Sequence, residues 1–196
     1  ALGLDQRRAP RRRSGARYGQ RRHFAVRPWS PMVEVTWADD AEAYVTPVGA
    51  NEVGVAVLGR RGESYDDWLT RFPELRARLD GAPVTSRVRG AGPLRQTSTS
   101  RVAGRALLVG DAAGYVDALT GEGMAVGFAS AQALVDCVMR DEPQAYERQW
   151  HRVTRRPRLP TEGLLAATTS RRLRQGLVPA AQRVPFAFDT AVNLLA

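Results

Sequence analysis

The residues best placed to do chemistry in this sequence are an aspartate at the end of an apolar run and the glycines that follow it. Residues 106–109 form a short apolar run that is closed by Gly110, and Asp111 comes next. Such a run predicts a fully buried strand. Ligands of α/β proteins bind just beyond the carboxyl ends of such strands, so Asp111 is a candidate ligand-binding carboxylate. A turn-capping role is the alternative for an aspartate in this position.

A second candidate lies ten residues further on, where Gly121 and Gly123 open a predicted helix with Thr120 as its N-cap. The first backbone N–H groups of a helix have no partner within the helix, and the helix dipole adds partial positive charge there. Glycines at this point let a flat or anionic ligand approach the main chain. An ordinary capped core helix is the alternative interpretation.

The predicted helix carries an apolar stripe at spacings of four and three, which indicates one face packed on a core. Its members are Met124, Phe128, Ala131, Val135 and Val138. Small residues at 127, 129, 130 and 133 leave little side-chain bulk on the rest of the helix surface, which would allow a neighbouring element to pack closely against it.

These residues together resemble a known motif. Gly110-Asp-Ala-Ala-Gly, six further residues and Gly121-Glu-Gly-Met resemble the second FAD-contacting motif of the geranylgeranyl-reductase-like and flavin-dependent monooxygenase families. The resemblance implies that Asp111 binds the ribityl hydroxyls of FAD and that Gly121 and Gly123 face the flavin pyrimidine ring and the pyrophosphate. The cofactor-binding residues predicted in this way are Gly110, Asp111, Ala112, Gly121, Glu122, Gly123 and Met124. Ala118 departs from the pattern, because relatives often carry proline there.

The same resemblance implies the reaction. NAD(P)H or another donor would reduce the flavin, which would then either activate dioxygen to hydroxylate a substrate or pass hydride to a double bond. The helix N-terminus would stabilise the negative charge of reduced flavin. No Gly-x-Gly-x-x-Gly follows a strand in this sequence. The family places that fingerprint near its N-terminus, so a missing N-terminal FAD-binding half is the predicted partner, and residue 1 being Ala also hints at a fragment.

Short runs rich in β-branched and aromatic residues between 22 and 58 predict an antiparallel sheet of about four strands. Residues 41–56 resemble the Tyr-x-Trp-x-Phe-Pro…Val-Gly segment of the reductase family, whose strand lines the cavity over the flavin. Tyr44, Thr46 and Pro47 are the predicted substrate-pocket residues, for a small-molecule or lipid-like substrate. Val45 and Thr46 lack the expected aromatic rings.

His23 is either a proton donor or, as is commoner for a lone strand histidine, structural.

The remaining elements are predicted to be helical. Ser64 is an N-cap for residues 64–80, and Pro73 should split this helix. A further helix follows Asp141 and should be broken by Pro157 and Pro160, with helices at 161–177 and 179–195 after it. The fold class is α+β: an antiparallel substrate-side sheet, the last strand and helix of an FAD/NAD(P)-binding domain, and C-terminal helices. The predicted divisions are a connecting segment (1–22), the sheet region (23–100), the FAD-binding segment (101–140) and the C-terminal helices (141–196).

Charge is unevenly distributed along the chain. All 29 basic residues are arginine, and the net charge is +9. Arginine predominates before residue 31 and after residue 150, whereas acids outnumber it between them. The alternative function is therefore a non-catalytic basic module that binds nucleic acid or an anionic membrane through its ends. Nucleic acid is disfavoured because no aromatic residues interleave the arginines.

Other classes of function have little support. The chain has two histidines and one cysteine, Cys137, and no metal-ligand spacing, P-loop or nucleophile elbow. No apolar run approaches the length of a membrane span, and the N-terminus of this sequence is arginine-rich rather than charged and then apolar as in a signal sequence. The sequence thus predicts a cytoplasmic protein, with peripheral membrane contact left open.

Overall fold

A computed structural model describes residues 17–118, 121, 123–169, 176, 179 and 183. The chain divides into two compact units, with the boundary between Leu94 and Arg95. Among the described residues, no helix is both long and apolar enough to cross a membrane.

The first unit is built on a five-stranded antiparallel sheet of order β2-β3-β4-β1-β5, which confirms the predicted α+β class. Its strands are β1 (Arg17–Phe24), β2 (Glu34–Trp37), β3 (Glu42–Gly49), β4 (Glu52–Arg60) and β5 (Arg89–Ala91). A tight turn joins β3 to β4, which pair over most of their length. The fifth strand was not predicted, because its three exposed residues carry no apolar pattern.

Two short helices, α1 (Tyr65–Leu69) and α2 (Pro73–Arg78), complete the apolar core of this unit. Val53, Val55 and Val57 alternate along β4 and are all buried, as expected for residues on one face of a strand. Gly59 lies under Trp68, and a Cβ there would come within 2.3 Å of the indole ring. The sheet therefore requires glycine at this position to receive the indole.

The ends of α1 and α2 agree with the sequence prediction. The Ser64 hydroxyl accepts a hydrogen bond from the Asp67 N–H, and the Asp67 carboxylate accepts one from the Ser64 N–H, which is a reciprocal capping box. The hydrogen bonds from Ser64 lower the pKa of Asp67. Pro73 occupies the first turn of α2, where its missing N–H costs nothing, and so separates the two helices.

The predicted connecting segment 1–22 is wrong at its end, because β1 begins at Arg17. Two arginines of the predicted segment, Arg17 and Arg22, lie on this strand and have partners on the sheet and on α1. Arg17 donates to the Glu42 carboxylate at 2.6 Å. Arg22 pairs with Asp66 at 3.1 Å and lies over the Tyr65 ring. Ion pairing and cation–π contact allow these charged side chains to remain on a sheet face.

The second unit contains two small β-ladders and two long helices. Its strands are β6 (Gln96–Thr97), β7 (Val102–Ala103), β8 (Ala106–Leu107) and β9 (Gly114–Tyr115), with β6 pairing β9 and β7 pairing β8. Its helices are α3 (Gly123–Met139) and α4 (Tyr146–Thr169). A buried cluster joins α3 to α4 through Ala133, Cys137, Tyr146 and Trp150.

The predicted core stripe of α3 is on the wrong face. Phe128 is 75% exposed and Met124 76%, and Val135 and Val138 are about half exposed, whereas Ser130, Ala133 and Cys137 are buried. Nearly every residue of α3 is apolar or small, so two stripes of equal spacing compete. The face of small residues is the buried one because it lets the helix approach its neighbours more closely.

Two further predictions need correction. Of residues 106–109, only Ala106 and Leu107 form a strand, β8. This strand is half-buried rather than buried, because β7 is the one strand that pairs with it among the described residues. Pro157 and Pro160 do not break α4, which continues to Thr169. The preceding turns, with Tyr146 and Trp150 buried against α3, hold this helix in place. The predicted cap Thr120 and most of residues 170–196 lie outside the described residues.

Candidate functional site

Asp111 lies on a tight turn that glycine makes possible. Val109 is extended, and Gly110 has a φ of +60°, in the left-handed region that favours glycine. The chain then forms a single 3₁₀ turn, Gly110–Ala112, in which the Ala113 N–H donates to the Gly110 carbonyl at 3.0 Å. Asp111 is exposed at this turn, so its carboxylate can reach a ligand.

The turn is fastened directly to α3. The Gly110 N–H donates to the Ser130 hydroxyl at 3.4 Å, and that hydroxyl donates to the Gly127 carbonyl at 2.8 Å. A Cβ on Gly127 would lie 4.0 Å from the Gly110 Cα. The small residues of α3 therefore bring the Asp111 turn against the first turns of the helix.

Polar side chains also hold the carbonyl groups on either side of the turn. The Ser98 hydroxyl and the Arg101 Nε–H both donate to the Ala113 carbonyl, at 2.9 and 3.1 Å. The Tyr146 hydroxyl donates to the Leu108 carbonyl at 2.9 Å. The role of these residues could not be predicted from the sequence, because they lie outside the motif and no spacing marks them. The turn is thus fixed at both ends.

The start of α3 is open to a ligand. The helix begins at Gly123, and Gly121 precedes it with a φ of +72°. No described atom would lie within 4 Å of a Cβ on Gly121 or Gly110. The neighbouring Met124 is largely exposed, and Glu122 lies outside the described residues. Among the residues that the structure describes, Gly121 just before the helix start is therefore exposed.

Tyr115 connects the turn to the helix start. Its ring carbon Cε2 lies 3.4 Å from the position of a Cβ on Gly123. Burial, reinforced by the negative charges of Asp117 and Asp111, raises the pKa of Tyr115 to about 12. The Tyr115 ring therefore lies within electrostatic reach of the Asp111 charge and next to the start of α3.

These residues fit FAD on the evidence of their own geometry. An exposed carboxylate can accept hydrogen bonds from hydroxyl groups. The open helix start offers N–H groups and positive potential to an anionic or electron-rich group. The Gly110–Ala112 turn packs on α3 at Ser130 and Gly127, and Tyr115 lies next to Gly123 at the start of the same helix. A ligand that contacts both the turn and the helix start would require such an arrangement.

The predicted substrate residues do not all share one surface. Tyr44 and Thr46 are two residues apart on β3 and therefore share one face of the strand. Pro47 pairs with the buried Val53 and therefore lies on the opposite face, which carries the core. The Tyr44 hydroxyl donates to the Glu42 carboxylate at 2.9 Å. Tyr44 and Thr46 can therefore line one surface together, without Pro47.

Two other candidate chemistries gain no support from the described residues. His23 lies beside Arg21, with 3.0 Å between the Arg21 guanidinium and the imidazole Nε2. Across the part of the chain that the structure describes, no group of three or more histidine, cysteine, aspartate or glutamate side chains could hold a metal ion.

Comparison with known proteins confirms the resemblance to FAD-dependent oxidoreductases. No protein-family model matches the sequence. The chain is 32% identical over 120 residues to digeranylgeranylglycerophospholipid reductase 1 of Methanococcoides burtonii. The match covers 55% of this chain and 29% of the reductase, so the chain spans less than a third of that relative.

Solved structures show the same fold. The flavin-dependent brominase Bmp2 aligns with a TM-score of 0.72 and 15% identity, over 91% of this chain and 50% of the brominase. The flavin-dependent halogenase CmlS aligns with a TM-score of 0.62 and 22% identity, over 79% of this chain and 31% of the halogenase. At these identities the likeness is one of fold.

Proposed function

We propose that this chain supplies part of the FAD site of a flavin-dependent oxidoreductase. Asp111 would hold the ribityl chain, with Gly110 and Ala112 shaping its turn. The observation that carries the proposal is the attachment of this turn to α3 through Ser130 and Gly127, since it packs the turn of the exposed Asp111 against the same helix that begins at Gly123. Gly121, Glu122, Gly123 and Met124 would line the isoalloxazine and phosphate side of the cofactor.

Bound FAD would accept electrons from a donor such as NAD(P)H and deliver them either to dioxygen, for hydroxylation of a substrate, or to a double bond. The chain itself would bind and orient the cofactor. The N–H groups at the start of α3 would stabilise negative charge on the pyrimidine side. The similarity to the reductase favours, for this chain, reduction of a double bond in a small-molecule or lipid-like substrate. Tyr44 and Thr46 would lie on the substrate surface, and Pro47 would support the strand from its other face.

The partner in this proposal is an N-terminal dinucleotide-binding half. The apolar face of α3, marked by Met124, Phe128 and Val135, is exposed, and the chain spans 29% of the reductase. An exposed apolar patch marks an interaction surface. Phe128→Ser should weaken co-purification with a separately supplied dinucleotide-binding half of the reductase. Retention equal to that of the wild type would contradict this assignment.

The proposed function is tested by titrating the chain with FAD and measuring quenching of flavin fluorescence. Asp111→Asn keeps the size of the side chain and removes its charge. It should weaken FAD binding by about tenfold or more, since a hydrogen bond to a charged group contributes about 1.5–3 kcal/mol. Asp136→Asn, at an exposed site on α3, is the matched control and should bind FAD as the wild type does.

Equal affinity of the wild type and Asp111→Asn would show that the carboxylate does not contact FAD. Retention of nucleic acid or anionic lipid without FAD would favour the basic-module alternative. Against that alternative, Arg17 and Arg22, two arginines of the N-terminal segment, are already engaged in ion pairs within the chain.

A further inference from the structure

A buried arginine outside the flavin motif contacts the Asp111 turn. The Arg101 side chain is 9% exposed, and its Nε–H donates to the Ala113 carbonyl at 3.1 Å. We propose that Arg101 is a positioning residue of the FAD site: it fixes the turn that carries Asp111. This inference rests on the proposed function and adds to it a residue that the motif does not contain.

Two contacts of the guanidinium and one of the backbone N–H leave Arg101 little freedom. Its Nη1 lies 2.8 Å from Glu147 Oε1. The Arg101 backbone N–H donates to Glu147 Oε2 at 2.7 Å. The guanidinium carbon lies 3.8 Å from the centre of the Trp150 ring, in cation–π contact. Glu147 and Trp150 both belong to α4, so this helix orients the arginine that holds the turn.

Arginine suits this place better than lysine would. Its planar fork can donate to a carbonyl and to a carboxylate at once while its face stacks on an aromatic ring. A lysine could keep the charge pair with Glu147 but would have no Nε–H in the position that reaches Ala113.

The effect on Asp111 follows from where the turn is held. On one side the Gly110 N–H is bound by Ser130. On the other side the Ala113 carbonyl receives hydrogen bonds from both Arg101 and Ser98. Asp111 lies between these two points, so the backbone that carries its carboxylate is fixed before a ligand arrives. Ligand binding then loses less conformational entropy.

The experiment compares Arg101→Lys and Ser98→Ala with the wild-type chain. Ser98→Ala removes the second hydrogen-bond donor to the Ala113 carbonyl, and it replaces Arg101→Lys as the test variant if Arg101→Lys does not fold. Arg105→Lys, at an exposed site, is the matched control, and Val153→Ala is a control for stability loss, since Val153 packs on the same cluster. The readouts are hydrogen exchange of residues 108–114, the FAD dissociation constant, and the visible absorption band of bound FAD.

Arg101→Lys should accelerate exchange of residues 108–114 and weaken FAD binding, each by about tenfold, with about 1.4 kcal/mol corresponding to each tenfold change. It should also shift the visible band of bound FAD. Arg105→Lys and Val153→Ala should leave the band in place, which separates positioning from general destabilisation.

Wild-type exchange of residues 108–114 in both Arg101→Lys and Ser98→Ala would overturn the proposal. So would faster exchange with unchanged FAD affinity and an unchanged band. A wild-type chain that binds no FAD even when the dinucleotide-binding half is supplied would overturn the proposed function itself, and with it the assignment of Arg101 to a flavin site.

Discussion

At the scale of single residues, Asp111 depends on neighbours that belong to no motif. Its turn requires the positive φ of Gly110, and a hydroxyl from α3 holds the Gly110 N–H. The sequence identifies Asp111 and the glycines because their types are unusual at those positions. Ser98, Ser130 and Arg101 are ordinary residue types, and only three-dimensional structure shows their contacts with the turn.

The pH dependence of stability should report the Arg101–Glu147 contact. Partial burial opposes ionisation of Glu147, but hydrogen bonds from the Arg101 N–H and guanidinium outweigh it and hold the pKa of Glu147 below its usual 4.5. A carboxylate with a lowered pKa contributes stability that is fully present above its unfolded-state pKa and is lost as the pH falls through the folded-state pKa.

We therefore expect the wild type to lose part of its resistance to urea as the pH falls below 4.5. Glu147→Gln should already be less stable at pH 7 and should show a flatter profile in acid. Urea midpoints measured across this range provide the check, with exposed Glu142→Gln as control. Parallel profiles for Glu147→Gln and the wild type would contradict the assigned role of this pair.

At the scale of elements, the predictions succeeded where one signal dominated. The runs between 22 and 58 are rich in β-branched and aromatic residues and are separated by turn residues, and the Ser64 capping box and Pro73 define the ends of α1 and α2. The core face of α3 could not be predicted in the same way, because both of its faces are apolar. Tertiary contact with α4 and the Asp111 turn decides between them.

The two faces of α3 should respond differently to substitution. Ala133→Leu adds volume to the buried face and should lower the free energy of unfolding by about 1–3 kcal/mol. Phe128→Ser changes the exposed face and should stay within about 0.5 kcal/mol of the wild type. Urea unfolding of both variants measures this difference. A larger loss in Phe128→Ser than in Ala133→Leu would restore the stripe predicted from the sequence.

At the scale of the whole molecule, the chain is similar to parts of two longer proteins, a reductase and a flavin-dependent brominase. It spans 29% of the reductase and 50% of the brominase to which it is similar. The motif from Gly110 to Met124 predicted this resemblance, and the fold agrees with it. The substrate cannot be derived from the sequence, because Val45 and Thr46 lack the aromatic rings of the reductase segment.

The central claim is that the Asp111 turn and the start of α3 bind one flavin together. Amide resonances of the ¹⁵N-labelled chain, followed during titration with FAD, test it directly. We predict that the amides of Gly110, Asp111 and Ala112 shift together with those of Gly121 and Gly123, and that both groups follow one dissociation constant. Binding of FAD that moves one group and leaves the other unchanged, or no shift in either group, would contradict the claim.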